Sequence, residues 1–246
     1  VMFNVFEVLS AKVKRKITGK HKVTKLTINT KMVLIYTGIL LFSGMLIFYF
    51  FEHKYLLLEK NIGTQYLSAF FQSVTLRTAG FNTLNIAKLQ MNTILVMMVF
   101  MFIGGAAGST AGGIKVNTLG IIVAYLHTIF KDRPNLIIMN HHIRKKVINR
   151  AFLVMFLGMA IIFTGTLILT VTENFPLEKI MFEVVSAFGT VGLSMGITFY
   201  LSLIGKIVII ITMFIGRVGP LTLILALSNK ENKTEIKYPE GQMIIG

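Results

Sequence analysis

The sequence predicts an all-α membrane protein built from two tandem repeats, each a span, a short half-helix and a second span. Three observations carry this expectation. Only 14% of the residues are charged and 54% are hydrophobic, where a soluble chain carries about a quarter charged. The apolar residues gather in four blocks, 32–51, 89–103, 151–170 and 202–215, the last continuing to about residue 227. Such blocks reach or approach the roughly 20 residues that cross a bilayer. The chain also contains an internal duplication. Thr78-Ala79-Gly80-Phe81 and Thr190-Val191-Gly192-Leu193 lie 112 residues apart, and the same offset carries Met101-Phe102-Ile103-Gly104 onto Met213-Phe214-Ile215-Gly216 and Phe70 onto Phe182.

The elements follow in order. Residues 1–31 form a basic segment containing Lys12, Lys14, Arg15, Lys16, Lys20, Lys22, Lys25 and Lys31. Residues 32–130 form the first repeat: a span at 32–51, a half-helix at about 62–76, the Thr-x-Gly motif, and a second span from 89. The half-helix is too short to cross and too apolar for a solvated loop. It therefore enters from outside and returns as extended backbone, which survives at membrane depth only when buried in protein or lining a watery cavity. The second span would run for about 40 residues, to 130, without an interruption at 104–113. That stretch holds Gly104, Gly105, Gly108, Gly112 and Gly113. Each costs a helix about 1 kcal/mol relative to Ala, so a loop is expected there.

Residues 131–150 form a second basic connection, with Lys131, Arg133, Arg144, Lys145, Lys146 and Arg150. Residues 151–228 form the second repeat, with its half-helix at about 177–188. Residues 229–246 form a tail with Lys230, Lys233 and Lys237. The remaining connections balance Glu52, Glu59, Glu173 and Glu178 against Lys54, Lys60 and Lys179. Cations thus collect on alternate sides, which places both termini and the middle connection in the cytoplasm. This distribution explains the net charge of +15 by contact with anionic lipid and argues against nucleic-acid binding. Each repeat crosses an even number of times, so the copies are parallel and related by an axis along the membrane normal. That is the place for a pore.

A dehydrated monovalent cation needs a cage of oxygens, which backbone carbonyls can supply. Turning successive carbonyls to one side requires dihedral angles that glycine tolerates, a reason for Gly80 and Gly192. The half-helix before each motif aims its partly negative C-terminal end at the same point, and the hydroxyls of Thr78 and Thr190 add further ligands. The expected cation site is therefore Thr78, Ala79, Gly80, Phe81, Thr190, Val191, Gly192 and Leu193.

These two motifs, the run Gly104-Gly105-Ala106-Ala107-Gly108-Ser109-Thr110-Ala111-Gly112-Gly113-Ile114-Lys115, and Gly216-Arg217-Val218-Gly219-Pro220 resemble the Ktr/Trk/HKT superfamily of potassium transporters, above all its KtrB-type membrane subunit. The resemblance implies four repeats around a pseudo-fourfold potassium pathway, of which this chain carries two, similar to the third and fourth. Val1–Leu9 is similar to the end of a preceding repeat, and Tyr238-Pro239-Glu240 to a family C-terminus. The chain is thus expected to be the C-terminal half of a longer protein and half of a potassium pore. The resemblance also implies a gate beneath the filter, formed by Gly104, Gly105, Gly108, Ser109, Thr110, Gly112, Gly113, Lys115 and Arg217. It implies a homodimer in the bacterial plasma membrane, a separate cytoplasmic nucleotide-binding regulatory ring (KtrA-like), potassium as the transported ion, sodium as an activator, and no organic cofactor.

Arg217 lies well inside the last apolar block. An intramembrane Arg is costly unless it faces a cavity or a partner, so it is expected to face the ion path and to bond carbonyls of the Gly-rich run; snorkelling is the alternative. Arg77 and Glu183, at the half-helices, are expected to support the filter and to pair with each other. His127, His141 and His142 near the basic connection lack the carboxylates or thiolates of a metal site. No catalytic constellation is present, and the Gly-rich run lacks the Gly-Lys-Ser/Thr ending of a phosphate loop. The chain is therefore expected to be no enzyme but a potassium-translocating subunit. A carrier with a closed midplane site and a non-conducting assembly subunit are the competing readings.

Overall fold

The computed structural model describes residues 4–6, 8, 10, 25–219 and 222. Most of the basic segment before residue 25, the expected continuation of the last span to residue 227 and the tail at 229–246 lie outside the described residues. So do most of Val1–Leu9 and all of Tyr238-Pro239-Glu240.

Helix α1 spans Ile28–Glu52 and starts at Thr27, whose hydroxyl accepts from the amide of Thr30 at 3.3 Å. Its 25 residues give a length of about 37 Å, enough to cross a hydrocarbon core of about 30 Å. Helix α2, Ile62–Thr75, follows a tight turn. A single 3₁₀ turn at Ile86–Lys88 leads into α3, Met91–Phe102. The chain is then non-helical to Lys115, and α4 spans Val116–Phe130. Helix α5 is Lys145–Thr172, α6 is Leu177–Gly189, and α7 is Leu203–Val218 after a 3₁₀ turn at Thr198–Tyr200. Helices α1 and α5 are long and apolar enough to cross a membrane. Helices α2 and α6, with 14 and 13 residues, are about 20 Å long and are not.

The chain is not wholly α. Strands β1, Ile137–Ile138, and β2, His141–His142, pair antiparallel in the basic connection, with Ile137 opposite His142 and Ile138 opposite His141. The turn residues Met139 and Asn140 both have positive φ, 47° and 64°, the requirement of a two-residue turn whose twist matches the strands. Neither is glycine, which hid the hairpin from the sequence. Leu136 and Ile138 bury themselves with Met32 and Ile148, fixing the hairpin to the adjoining ends of α1 and α5.

Helix α7 breaks within its apolar block, and Thr222 beyond the break is again helical. Helix α7 closes at Val218, and Gly219 leaves the helical region at φ 91°. The next residue is Pro220, and a residue before proline is disfavoured in the α region. Arg217 therefore stands in the last turn of α7, just before this break.

The largest apolar core joins the two halves. Phe48, Leu57, Ala69, Leu76, Met97 and Met101 are buried together with Phe182, Val185 and Val191. A second core, Leu169, Ile180, Val184, Ala187, Ile197 and Ile209, lies among α5, α6 and α7. Helix α6 sits at the centre of the packing, against α3, α5 and α7, and Phe182–Gly189 is buried without a break. By contrast Phe42 and Phe50 on α1, Phe156 and Phe163 on α5, and Ile210 and Phe214 on α7 are exposed. Outward faces this apolar suit lipid or another membrane segment.

Candidate cation site

Each short helix runs directly into a Thr-x-Gly motif, and both motifs take the same backbone path. Thr78 and Gly80 have φ of 67° and 75°; Thr190 and Gly192 have φ of 50° and 89°. The intervening Ala79 and Val191 are not in the left-handed region. Left-handed conformation at a β-branched threonine is a true outlier, of the kind that costs about 1–3 kcal/mol and concentrates at functional positions. Here it occurs twice, at matched positions.

The hydrogen bonds show how the strain is held. The amides of Thr190 and Val191 donate to the carbonyls of Ala187 (2.9 Å) and Ser186 (2.9 Å). This is the closure that ordinarily uses glycine after a helix end. In the first repeat the amides of Ala79 and Gly80 both donate to the carbonyl of Thr75, at 3.2 and 3.3 Å. The motifs also meet each other. A Cβ built on Gly80 would lie 2.2 Å from the carbonyl oxygen of Val191, and one on Gly192 would lie 3.9 Å from Cα of Gly80. Left-handed and ordinary residues alternate in both motifs, and the two motifs belong to one small region.

The eight candidate residues do not contribute equally. The hydroxyl of Thr75 donates to the carbonyl of Phe81 at 2.6 Å, which ties that oxygen back to α2, and the Phe81 ring is exposed. Leu193 is buried. The side-chain oxygen of Thr190 is buried and, among the described residues, has no hydrogen-bond partner. Behind the second motif, the buried carboxylate of Glu183 accepts from Ser194 Oγ at 2.8 Å and from the hydroxyl of Thr198. Behind the first, Gln72 Nε2 donates weakly to Thr83 Oγ1 at 3.5 Å. These hydroxyls brace the returning segment against its helix; none was evident in the sequence, because serine and threonine spacing alone carries no such signal.

The Gly-rich run lies against the second motif. A Cβ on Gly112 would come within 2.4 Å of Thr190 Oγ1 and 2.8 Å of the Gly189 carbonyl, so only glycine allows this approach. The loop is internally bonded: Gly104 N to Ile114 O (2.8 Å), Ile114 N to Phe102 O (3.0 Å), Val116 N to Gly105 O (3.1 Å). Ser109 Oγ donates to Ala106 O at 2.6 Å. Gly108 and Gly113 take φ of 78° and 68°. Gly105, Gly108 and Thr110 lie on the part of the loop away from Thr190, and Thr110 is exposed.

Among the described residues, three cations donate to carbonyls of this loop. Arg217 reaches Thr110, Lys115 reaches Ala111, and Arg77 Nη2 reaches Gly104 at 3.0 Å. Arg77 and Glu183 are therefore not a pair, contrary to expectation. Arg77 faces the start of the Gly-rich loop, whereas Glu183 is occupied by hydroxyls of its own repeat. Of the histidines, His141 and His142 form β2 and His127 lies in α4.

The TrkH family, described as cation transport protein, matches residues 1–236. The potassium/sodium uptake protein NtpJ of Enterococcus hirae is 41% identical over 241 residues, covering 95% of this chain and 53% of that protein. The Ktr system potassium uptake protein B of Bacillus subtilis is 40% identical over 179 residues, 73% of this chain and 40% of that one. The chain thus spans about half the length of the curated relatives it matches. The crystal structure of the potassium transporter TrkH from Vibrio parahaemolyticus superposes with a TM-score of 0.66 at 21% identity, over 92% of this chain and 51% of that one. On the family match, the two related uptake proteins and the shared fold, this membrane-embedded chain belongs to the TrkH family of cation transport proteins.

Proposed function

We propose that this chain supplies two of the four quarters of a gated potassium pathway. The observation that carries the reading is the matched left-handed threonine and glycine in both Thr-x-Gly motifs, brought together at the C-terminal ends of α2 and α6. In this reading α2 and α6 are re-entrant pore helices, and each repeat is span, pore helix and span. The carbonyls of residues 78–80 and 190–192 replace the hydration shell of potassium. The partly negative C-terminal ends of both helices favour the cation. Membership of a family whose related proteins are named for potassium and sodium uptake supports that choice of ion.

The Gly-rich loop is the gate in this reading. It lies against Thr190, and Arg217 adds positive charge beside it. A loop held by a few hydrogen bonds to side chains is easier to displace than a helix. The two repeats face the same way with both termini in the cytoplasm of a bacterial plasma membrane, as the distribution of lysine and arginine requires. The complete protein works as a homodimer under a cytoplasmic nucleotide-binding regulatory ring, with sodium as an activator.

The test is potassium uptake into proteoliposomes by the full-length polypeptide that carries these residues. Flux far above carrier turnover, with selectivity altered by Gly192→Ser, is the expected result. Slow stoichiometric turnover would point instead to a carrier, and absence of uptake to an assembly subunit.

A further inference from the structure

We propose that Arg77 is a positioning residue that couples ion occupancy of the first Thr-x-Gly motif to the position of the Gly-rich loop. Arg77 immediately precedes the left-handed Thr78, and its own amide closes the end of α2 by donating to Val74 O at 3.1 Å. Its guanidinium leaves the motif and donates to the carbonyl of Gly104 at 3.0 Å. Gly104 is the place where α3 gives way to loop. The helix ends at Phe102, and Gly104 N turns to Ile114 O. The two limbs of the loop touch there, since a Cβ on Gly104 would lie 1.8 Å from Gly112 O. One planar, charged side chain thus links the backbone of the ion-binding motif to the hinge of the loop. Such a charge-assisted bond is stronger than a neutral one and more directional than lysine would provide.

The arrangement is asymmetric. At the internal offset of 112 the counterpart of Arg77 is Gly189, which has no side chain to reach out. There the contact is direct, because Gly112 abuts Thr190 and Gly189. The loop therefore touches both motifs, one by backbone packing and the other through Arg77. Moving the loop at its hinge must break the Arg77–Gly104 bond or drag the residue next to Thr78. By linkage, an ion bound at Thr78–Gly80 then biases the loop as much as the loop biases the ion. This inference rests on the reading of the motifs as the ion site and names a device by which gate and site communicate.

The experiment reads ion binding without transport. The full-length polypeptide is purified in detergent, and its melting temperature is followed against potassium concentration, with choline holding ionic strength, to give an apparent potassium affinity. This is done with the loop intact and with residues 106–111 deleted, in Arg77, Arg77→Met and Arg77→Lys backgrounds. Deletion is expected to shift the apparent affinity about fivefold or more when Arg77 is present, the low end of measured couplings. In Arg77→Met the shift should fall to within about twofold, with Arg77→Lys between them. A purely structural Arg77 would lower the melting temperature in choline and leave the deletion-induced shift as large as before, which overturns the proposal. So would the lack of a shift in the Arg77 background. Should Arg77→Met fail to fold, Arg77→Gln takes its place. If potassium neither stabilises the parent protein nor is taken up by it, the ion-site reading itself falls, and the coupling with it.

Discussion

Arg217, in the last turn of α7, donates a hydrogen bond to the carbonyl of Thr110 at the exposed tip of the Gly-rich loop. The two residues are 107 positions apart in sequence, and the bond crosses between the repeats. It gives the arginine two separable properties, a charge beside the proposed ion path and a planar group that bonds the loop. Arg217→Gln keeps much of the length and hydrogen bonding but removes the charge; Arg217→Lys keeps the charge but loses the planar fork. We predict that Gln raises basal potassium uptake of the full-length protein severalfold and that Lys raises it less. Equal opening by both would assign the closed state to the hydrogen bond alone. Unchanged uptake in correctly inserted protein would leave Arg217 a packing residue.

Gly192 has φ 89°, and among the described residues the only atom within 4 Å of a Cβ placed on it is Cα of Gly80, 3.9 Å away. Space is available, so the obstacle to a side chain is conformational. Holding an L-residue there costs about 1–2 kcal/mol, and relief of that strain rotates the carbonyls on either side. Gly192→Ser should therefore reduce the potassium-to-sodium permeability ratio while the protein still inserts. Wild-type selectivity and uptake affinity in this variant would remove the motif from the ion path.

Gly112→Ala is a sharper probe of the contact between loop and motif. The added methyl would meet Thr190 Oγ1 at 2.4 Å and the Gly189 carbonyl at 2.8 Å, so one of the two must yield. Overpacking of this kind costs about 1–3 kcal/mol, and the loop is the softer side. Basal uptake should rise, as it should more strongly on deletion of residues 105–112. A drop in thermal stability with flux unchanged would mean that the contact is packing only.

The apolar blocks identified the helices because bilayer-scale hydrophobic runs need no tertiary information. Helix α5 begins at Lys145, six residues before its block, since lysine and arginine stems extend a helix while their charges reach water. Glycine density correctly marked the break after α3. The hairpin at 137–142 escaped because its turn, Met139-Asn140, is left-handed without glycine. The partners of Arg77 and Glu183 could not be read at all: spacing in sequence placed both at short helices but said nothing about the direction of either side chain. The same holds for Thr75, whose hydroxyl draws off the Phe81 carbonyl.

Another relationship absent from any sequence pattern concerns the ends of the long helices away from the Gly-rich loop. Glu52, the last residue of α1, is fully buried. Its Oε1 accepts from the amide of Gln90 at 3.0 Å and from the hydroxyl of Thr93, so it caps the first turn of α3 from another helix. Glu173, at the end of α5, does the same for α7 by accepting from the amide and hydroxyl of Ser202. Each repeat thus latches its long first helix to the start of the helix after its Thr-x-Gly motif, at the end away from the Gly-rich loop. The two latches differ in burial: Glu52 has no contact with solvent, whereas the Glu173 contacts are exposed. Glu52→Ala strands a half-buried amide and a buried hydroxyl, a loss of about 1–3 kcal/mol at most for the hydroxyl and less for the amide, whereas water can replace Glu173. We predict that Glu52→Ala lowers the melting temperature of the full-length protein clearly more than Glu173→Ala. Selectivity should be unaltered in whatever Glu52→Ala protein remains folded, because the latch touches neither Thr-x-Gly motif. Equal melting temperatures for the two variants would show that burial does not set the strength of the latch. Altered selectivity would mean that these helix ends position the proposed ion site directly.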